Sequence, residues 1–309
     1  MNFSKKTIGA IVVTYNPNML TLKSLLNNLC EQVEKVFIVD NSSSNSEAIF
    51  DAASKIESIR IILCEKNFGV GKAHNIGIKA CRDEGLNAVL LLDQDTVPTN
   101  NLVYKLSNSL NQLVSDGIKT CAVGSRYVGK NKQISFFVHF SRFRFRKLFC
   151  DVSRINQIIP ADMLISSGTL IPFQALDSIG AMDEGLFIDH VDTEWFLRAK
   201  SLDWNAYGVC DALMNHSLGE RSIRLWWGYW RNFPVHLPFR YYFIFRNSIL
   251  LYKRNYISPE WRRADIIRLI LIVIILILFS DKRLRNLRLI FLGIIHGIKG
   301  KTGPLLSRI

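Results

Sequence analysis

No two of the six cysteines stand in C-x-x-C spacing, and no histidines cluster beside them. That argues against a zinc site and a disulfide framework, and suits a reducing cytoplasm. No apolar run approaches the ~18–20 residues needed to cross a bilayer; the longest wholly apolar one, Leu269–Phe279, has eleven. No secretory signal is expected either. Lys5 and Lys6 precede Ile8–Val13, but that run is short and no small-residue cleavage site follows. Phosphate loops of the familiar kinds are missing. Ala73 follows Lys72 where a P-loop needs Ser or Thr, and His74 stands where a dinucleotide fingerprint after Gly69-Val70-Gly71 needs its last glycine. Acidic residues nearly vanish from the C-terminal third. Residues 217–309 hold four of them against 17 Lys/Arg, whereas residues 1–216 hold 22 of each. The whole net charge of +13 therefore lies in the tail region. A nucleic-acid binder would spread its cations over the folded body, so that class is excluded.

What is present begins with periodicity. Apolar runs at Ile8–Val13, Lys35–Val39, Ile59–Cys64 and Ala88–Leu92 read as strands, and Leu20–Cys30, Ser46–Ser54 and Gly71–Arg82 have helical spacing. Alternation of this kind predicts βαβ units and a mostly parallel sheet. Ligands should gather where the strands end, at Thr14–Pro17, Asp40–Ser44, Lys66–Gly71 and Asp93–Thr96. The last loop is the most telling. Leu90-Leu91-Leu92 runs into Asp93-Gln94-Asp95, two carboxylates one residue apart at the end of a buried strand. Like charges so close call for a cation between them, and hard oxygen ligands select Mg²⁺ or Mn²⁺.

From Ile118 the pattern is less regular, with strands expected at Thr120–Gly124, Met163–Ser166 and Thr169–Pro172. Arg142-Phe143-Arg144-Phe145-Arg146-Lys147 alternates cation with ring; on a strand it could grip a diphosphate or a membrane, or form a solvated edge. Beyond Ser217, Trp226, Trp227, Tyr229 and Trp230 sit among basic residues, and Ile266–Phe279 carries Arg268 as its single charge. With Arg262, Arg263, Lys282, Arg283, Arg285 and Arg288 around it, this segment reads as a helix lying on an anionic membrane surface, the alternative being a buried core helix.

Val12-Val13-Thr14-Tyr15-Asn16-Pro17, Val39-Asp40-Asn41-Ser42-Ser43, Asn67-Phe68-Gly69 with Asn75-Ile76-Gly77, and Asp93-Gln94-Asp95 together resemble the donor half of the family 2 glycosyltransferases. Ser167-Gly168-Thr169-Leu170, Leu186-Phe187-Ile188-Asp189 and Val191-Asp192-Thr193-Glu194-Trp195 with Leu197-Arg198-Ala199 resemble the acceptor half. The wording is most similar to bacterial rhamnosyltransferases of polysaccharide assembly, and the likeness runs over residues 7–217.

The resemblance implies an α/β GT-A fold and an inverting transfer from a nucleotide sugar, dTDP-L-rhamnose, with UDP-hexose or UDP-galactofuranose as alternatives. It implies a polyprenyl-diphosphate-linked glycan as acceptor, in O-antigen or related polysaccharide synthesis, and a peripheral place on the cytoplasmic face of the bacterial inner membrane. Donor contacts are implied for Thr14, Tyr15, Asp40, Asn67, Gly69, Asn75, Asp93 and Gln94, although Asp40 could instead cap its own turn. Metal contacts are implied for Asp93, Asp95 and His216, the histidine being as readily structural. Asp192 is the candidate base, with Asp189 as its rival because Val191 replaces an acid common in the wider family. Acceptor contacts are implied for Ser167, Gly168, Glu194, Trp195 and Arg198, with Glu194 also supporting the base.

Residues 1–217 are expected to form the catalytic domain, 1–117 its donor half and 118–217 its acceptor half, with 218–309 as a membrane-associating region. A nucleotidyltransferase would share the strand-end carboxylates, but it needs a Gly-rich, Arg-containing loop after the first strand, where this chain has Thr14-Tyr15-Asn16-Pro17.

Overall fold

The computed structural model describes residues 2–128, 136–141, 144–151, 153–216, 221–226 and 230–305. The first half alternates as the periodicity requires: β1 (Ile8–Thr14), α1 (Met19–Leu29), β2 (Lys35–Asp40), α2 (Ser46–Ala53), β3 (Ile59–Leu63), α3 (Val70–Asp83), β4 (Ala88–Asp93), then the short β5 (Thr96–Pro98) and α4 (Leu102–Ser115). There follow β6 (Thr120–Val128), β7 (Phe136–Ser141), β8 (Arg144–Phe149), β9 (Ile158–Ala161), β10 (Thr169–Pro172), α5 (Phe173–Ile179), α6 (Val191–Ser201), β11 (Asn205–His216), β12 (Arg221–Trp226) and β13 (Trp230–Val235). Three helices end the chain: α7 (Pro238–Tyr252), α8 (Pro259–Phe279) and α9 (Arg283–Ile298).

The main sheet runs β3-β2-β1-β4-β10-β6-β11-β5, with β9 added on β11. β1 through β4 are parallel, and β10 enters antiparallel between β4 and β6. Parallel strands buried on both faces explain the unbroken apolar reading of β1 and β4. Two strands register as a pair across the site: Thr14 lies opposite Asp40, and Val13 opposite Asp93. The carboxyl ends of β1, β2 and β4 thus form one edge.

Three features depart from the expectations. α4 is an additional helix whose Leu102, Leu106, Leu110 and Leu113 are buried on the sheet. The segment expected as a strand at Met163–Ser166 makes only an isolated bridge, Met163 to Val138. Cys150 and Cys210 form a disulfide between the end of β8 and β11, a pairing 60 residues apart that no spacing announced. The C-terminal helices are those expected for this region, and they are tied to the rest of the fold. Leu250, Leu251, Ile257 and Trp261 lie in the same apolar core as Trp195, Leu91 and Ile11, so burial holds the region to the sheet. Residues 217–220, where a boundary was expected, and Trp227 and Tyr229 lie outside the described residues.

Candidate functional site

The donor edge is a set of side chains that hold one another. The Thr14 hydroxyl donates to Asp40 Oδ1 at 2.8 Å, and Ser43 donates to the same carboxylate from its backbone N–H (3.0 Å) and its hydroxyl (2.5 Å). Asn16 N–H donates to Ser43 Oγ at 2.8 Å, closing the β1 and β2 loops on each other. Asn41 then bridges to the third loop: its amide donates to Asn67 Oδ1, and its oxygen accepts the Phe68 N–H. Asn67 Oδ1 also accepts the Gly69 N–H. Asp40 is buried and takes up its carboxylate in this turn, so the capping role weighed for it from the sequence is the one its contacts display. Gly69 sits at φ +86°, and a Cβ there would lie 2.4 Å from the Phe187 carbonyl oxygen. Only glycine allows α3 to begin this close to the loop from the other half of the site. The ring of Tyr15 is half exposed at the same edge.

β4 delivers the paired acids. Asp93 N–H donates to Ser167 Oγ, Ser167 donates to Thr96 Oγ1, and Thr96 Oγ1 donates to the Asp93 carbonyl at 2.7 Å. Burial, and then the neighbouring carboxylates of Asp95 and Asp192, push the Asp93 acid up to about 7, with Arg240 opposing them. Two hard-oxygen ligands, one of them kept short of full ionisation by burial and then by its neighbours' charge, fit a divalent cation. Among the described residues no group of three or more His, Cys, Asp or Glu gathers to hold a metal. The remaining ligands would have to be water and the donor's own phosphates. His216 ends β11 opposite Thr96, and its side chain lies outside the described residues.

Facing these acids is the loop that leads into α6. Together they line a cavity of about 590 Å³ whose walls include Asp93, Asp95, Asp189, Asp192, Arg240 and Arg268. Asp189 is bound by Arg240, whose Nη2 donates to Oδ1 at 2.6 Å. Asp192 takes the backbone N–H of Thr193 at 2.7 Å, and burial holds its acid above the ordinary carboxylate range, with Asp189 adding to the shift. The Asp189 carboxylate is thus occupied by a guanidinium, whereas the raised acid of Asp192 suits it to accept a proton. His190 Nε2 lies 3.1 Å from Ser248 Oγ and 3.2 Å from Arg268 Nη2, and burial pulls its pKa down to about 4. It is neutral at physiological pH.

Several residues expected on substrate have other contacts. Glu194 is buried beneath the cleft, where Arg198 donates to both its oxygens at 2.9 Å and Arg254 and Tyr256 join at 3.0 and 2.5 Å. Arg198 also holds the carbonyls of Ile179 and Ala181. Trp195 is a core residue whose indole N–H donates to the Gly180 carbonyl. The physical reason is helical: Asp192 and Glu194, two residues apart, point to nearly opposite sides of α6. Ser167 braces the acidic turn, and Gly168, at φ +77°, packs its α-carbon against Ser125. On the donor side Asn75 is held by the Met182 backbone and Glu184, and the Gln94 amide pairs with the Tyr15 backbone in both directions. Residues not anticipated complete the cavity: Val70, Tyr127, Ile165, His190, His236, Arg240, Ile244 and Arg268. Only Arg268 had a signal, as the lone charge in an apolar segment.

A curled, mostly parallel sheet with its strand-end loops interlocked and paired acids facing a second carboxylate defines a GT-A glycosyltransferase that uses a nucleotide sugar. The glycosyl transferase family 2 model matches residues 10–176, and the chain belongs to that family. A dTDP-rhamnosyl transferase of Shigella flexneri, RfbF, is 28% identical over 296 residues, covering 96% of this chain and 97% of its own. Among solved structures, S. aureus TarS (residues 1–349) has a TM-score of 0.57 at 15% identity, covering 94% of this chain and 81% of that one. It has also been solved with UDP-GlcNAc. GalNAc-T7 with UDP, GalNAc and Mn²⁺ has a TM-score of 0.56 at 12% identity, over 69% of this chain. The chain spans only 44% of GalNAc-T7's length. At these identities the structural likeness carries the fold alone.

Proposed function

We propose that this enzyme transfers L-rhamnose, with inversion, from dTDP-L-rhamnose to a polyprenyl-diphosphate-linked glycan at the cytoplasmic face of the bacterial inner membrane. The product would feed O-antigen or related cell-surface polysaccharide. The observation that carries the chemistry is the asymmetry between two acids in one cleft: Asp189 is neutralised by Arg240, and Asp192 is not among the described ion pairs and has a raised pKa. Asp192 takes the proton of the acceptor hydroxyl as its oxygen attacks C1 from the face opposite the leaving nucleoside diphosphate. Asp93 and Asp95 would hold Mg²⁺ or Mn²⁺, which when bound balances the charge of the diphosphate. Thr14, Tyr15, Asp40 and Asn67 shape the loops against which the nucleoside would pack. Arg240 holds the Asp189 carboxylate in an ion pair beside it. The donor choice is supported by the full-length similarity to the Shigella flexneri enzyme.

A lipid-linked acceptor is supported by α8. No described helix is long and apolar enough to cross a membrane. Yet Ile266, Ile270, Leu271, Ile274, Ile277 and Leu278 are each 41–61% exposed, on one face and without a charge among them. Cations stand at both ends of that face, Arg262 and Arg263 before it and Lys282 and Arg283 after it. An exposed apolar patch rimmed by cations fits an anionic bilayer surface. Arg268, on the adjacent flank of the same helix, lines the cleft, so the site lies about one helix diameter (~10–12 Å) from the docking face.

Donor hydrolysis by the purified enzyme, measured with Mg²⁺ or Mn²⁺ over a panel of dTDP-L-rhamnose, UDP-GlcNAc, UDP-glucose and UDP-galactofuranose, tests the donor. Selective release of dTDP is expected. Faster turnover of any UDP-sugar would replace rhamnose in this reading.

A further inference from the structure

The loop that carries the acids holds an unusual backbone. Phe187, Asp189 and His190 all have left-handed φ angles, +66°, +61° and +63°, and none is glycine. Left alone, such residues favour other conformations, and a run of them persists only where the surroundings impose it. The surroundings here are two buried side chains of α7. Asn247 Nδ2 donates to the carbonyls of Leu186 (3.0 Å), Ile188 (2.8 Å) and Asp189 (2.8 Å). Its own oxygen accepts Arg246 Nε at 2.9 Å. Arg246 reaches on to the carbonyls of Leu186 (2.8 Å) and Gly185 (3.3 Å), and to that of Gly303 beyond α9. Gly303 N–H returns a bond to the Gly185 carbonyl at 2.7 Å. Both side chains are fully buried, and neither touches the cleft.

We propose that Asn247, backed by Arg246, is a positioning residue for the transfer: it fixes the left-handed course of residues 186–190 and thereby aims the first turn of α6, with Asp192, at the acceptor. The inference rests on reading Asp192 as the base. It makes the C-terminal helices part of the catalytic apparatus, since the loop takes its shape from a helix some sixty residues downstream. An amide suits this place because its N–H₂ group offers neutral donors to several carbonyls at once while its oxygen satisfies a neighbour. Because the donor loops belong to β1 through β4, loss of the clamp should separate turnover from donor affinity.

Asn247→Ala is the direct test. Displacing a catalytic group by about 1 Å can cost about 10²-fold, so kcat for transfer should fall by about that factor. The Kd for the donor nucleotide should stay within about twofold, and amide hydrogen exchange of residues 186–190 should accelerate. Unchanged kcat overturns the proposal. So does a parallel loss of kcat, donor affinity and protection throughout the sheet, which would show a merely structural role. Should Asn247→Ala fail to fold, Asn247→Ser keeps a small polar group there and removes the amide that serves the three carbonyls. A several-fold loss of kcat at constant donor affinity then supports the clamp, and unchanged kcat overturns it. Asp192→Asn measured alongside separates the two readings: if that variant turns over normally, the base assignment fails, while the exchange of residues 186–190 in Asn247→Ala still reports on the clamp.

Discussion

The two walls of the cleft are built by opposite rules. On the donor wall, short polar side chains at adjacent strand ends hold one another: Thr14 to Asp40, Ser43 to Asp40, Asn16 to Ser43, Asn41 to Asn67. On the acceptor wall, long cations on α7 and the turn after it reach across to acids and carbonyls between residues 183 and 194: Arg240 to Asp189, Arg254 to Asp183 and Glu194, Arg246 to Leu186. The first design is rigid because its partners are fixed by sheet register. The second depends on how α7 docks against the loop. A wall that binds a nucleotide sugar suits the first rule.

The largest effect should come from the donor wall. Asp93→Ala or Asp95→Ala removes a hard ligand where charge develops on the leaving group; loss of one such stabilising contact typically costs about 10²–10³-fold. Turnover in steady-state assays should fall at least that far, and EDTA should do the same to the wild type. Full activity in EDTA would remove the metal from the account while leaving the transferase intact. Next is the hub under the acceptor wall. Glu194→Ala leaves Arg198 and Arg254 without their shared carboxylate, and breaking a buried pair in this way costs about 3–5 kcal/mol. Denaturant unfolding should show that loss; a variant as stable as the wild type would mean the hub is solvated.

A smaller effect is expected at the exposed apolar face of α8, the proposed docking surface. Ile270→Asp with Ile274→Asp removes two exposed apolar side chains, each worth about 1.5–3 kcal/mol if fully buried in the interface. Sedimentation with anionic vesicles should weaken at least tenfold while dTDP binding is unaffected, and salt should release the wild type in part. Binding that survives the substitutions would place the docking surface elsewhere. A last effect concerns acid. His74 and His190 are both buried, and burial pulls each to about 4 in the folded chain, against about 6.5 when unfolded. Between those values the unfolded chain binds more protons. Stability is therefore full above about pH 6.5 and falls as pH drops toward about 4. Thermal melts from pH 7 to 5 should decline, and His74→Leu should lessen the decline.

The same contrast explains what could be read in advance. Strand ends follow from periodicity, so the chain's pattern alone puts Asp40, Asn67, Asp93 and Asp95 on one edge. Motif position did not tell which way a side chain points. Glu194, Trp195 and Arg198 share a helix with Asp192 but face the core, and Ser167 supports the acidic turn from behind. Arg240 and Asn247 left no trace in the sequence because their partners lie 51 to 61 residues away and no periodicity links them. Arg268 was visible as an odd charge, but its target His190, 78 residues distant, was not.

The central claim is that Asp192, and not Asp189, accepts the proton. Asp192→Asn keeps the size of the side chain and removes its basicity, so transfer from dTDP-L-rhamnose should fall by about 10²–10⁴-fold while donor affinity holds. Because burial makes the ionised Asp192 costly in the folded state, the same variant should melt at least as high as the wild type at neutral pH. Near-normal turnover by Asp192→Asn beside an inactive Asp189→Asn would contradict the account and move the base to the residue that Arg240 holds.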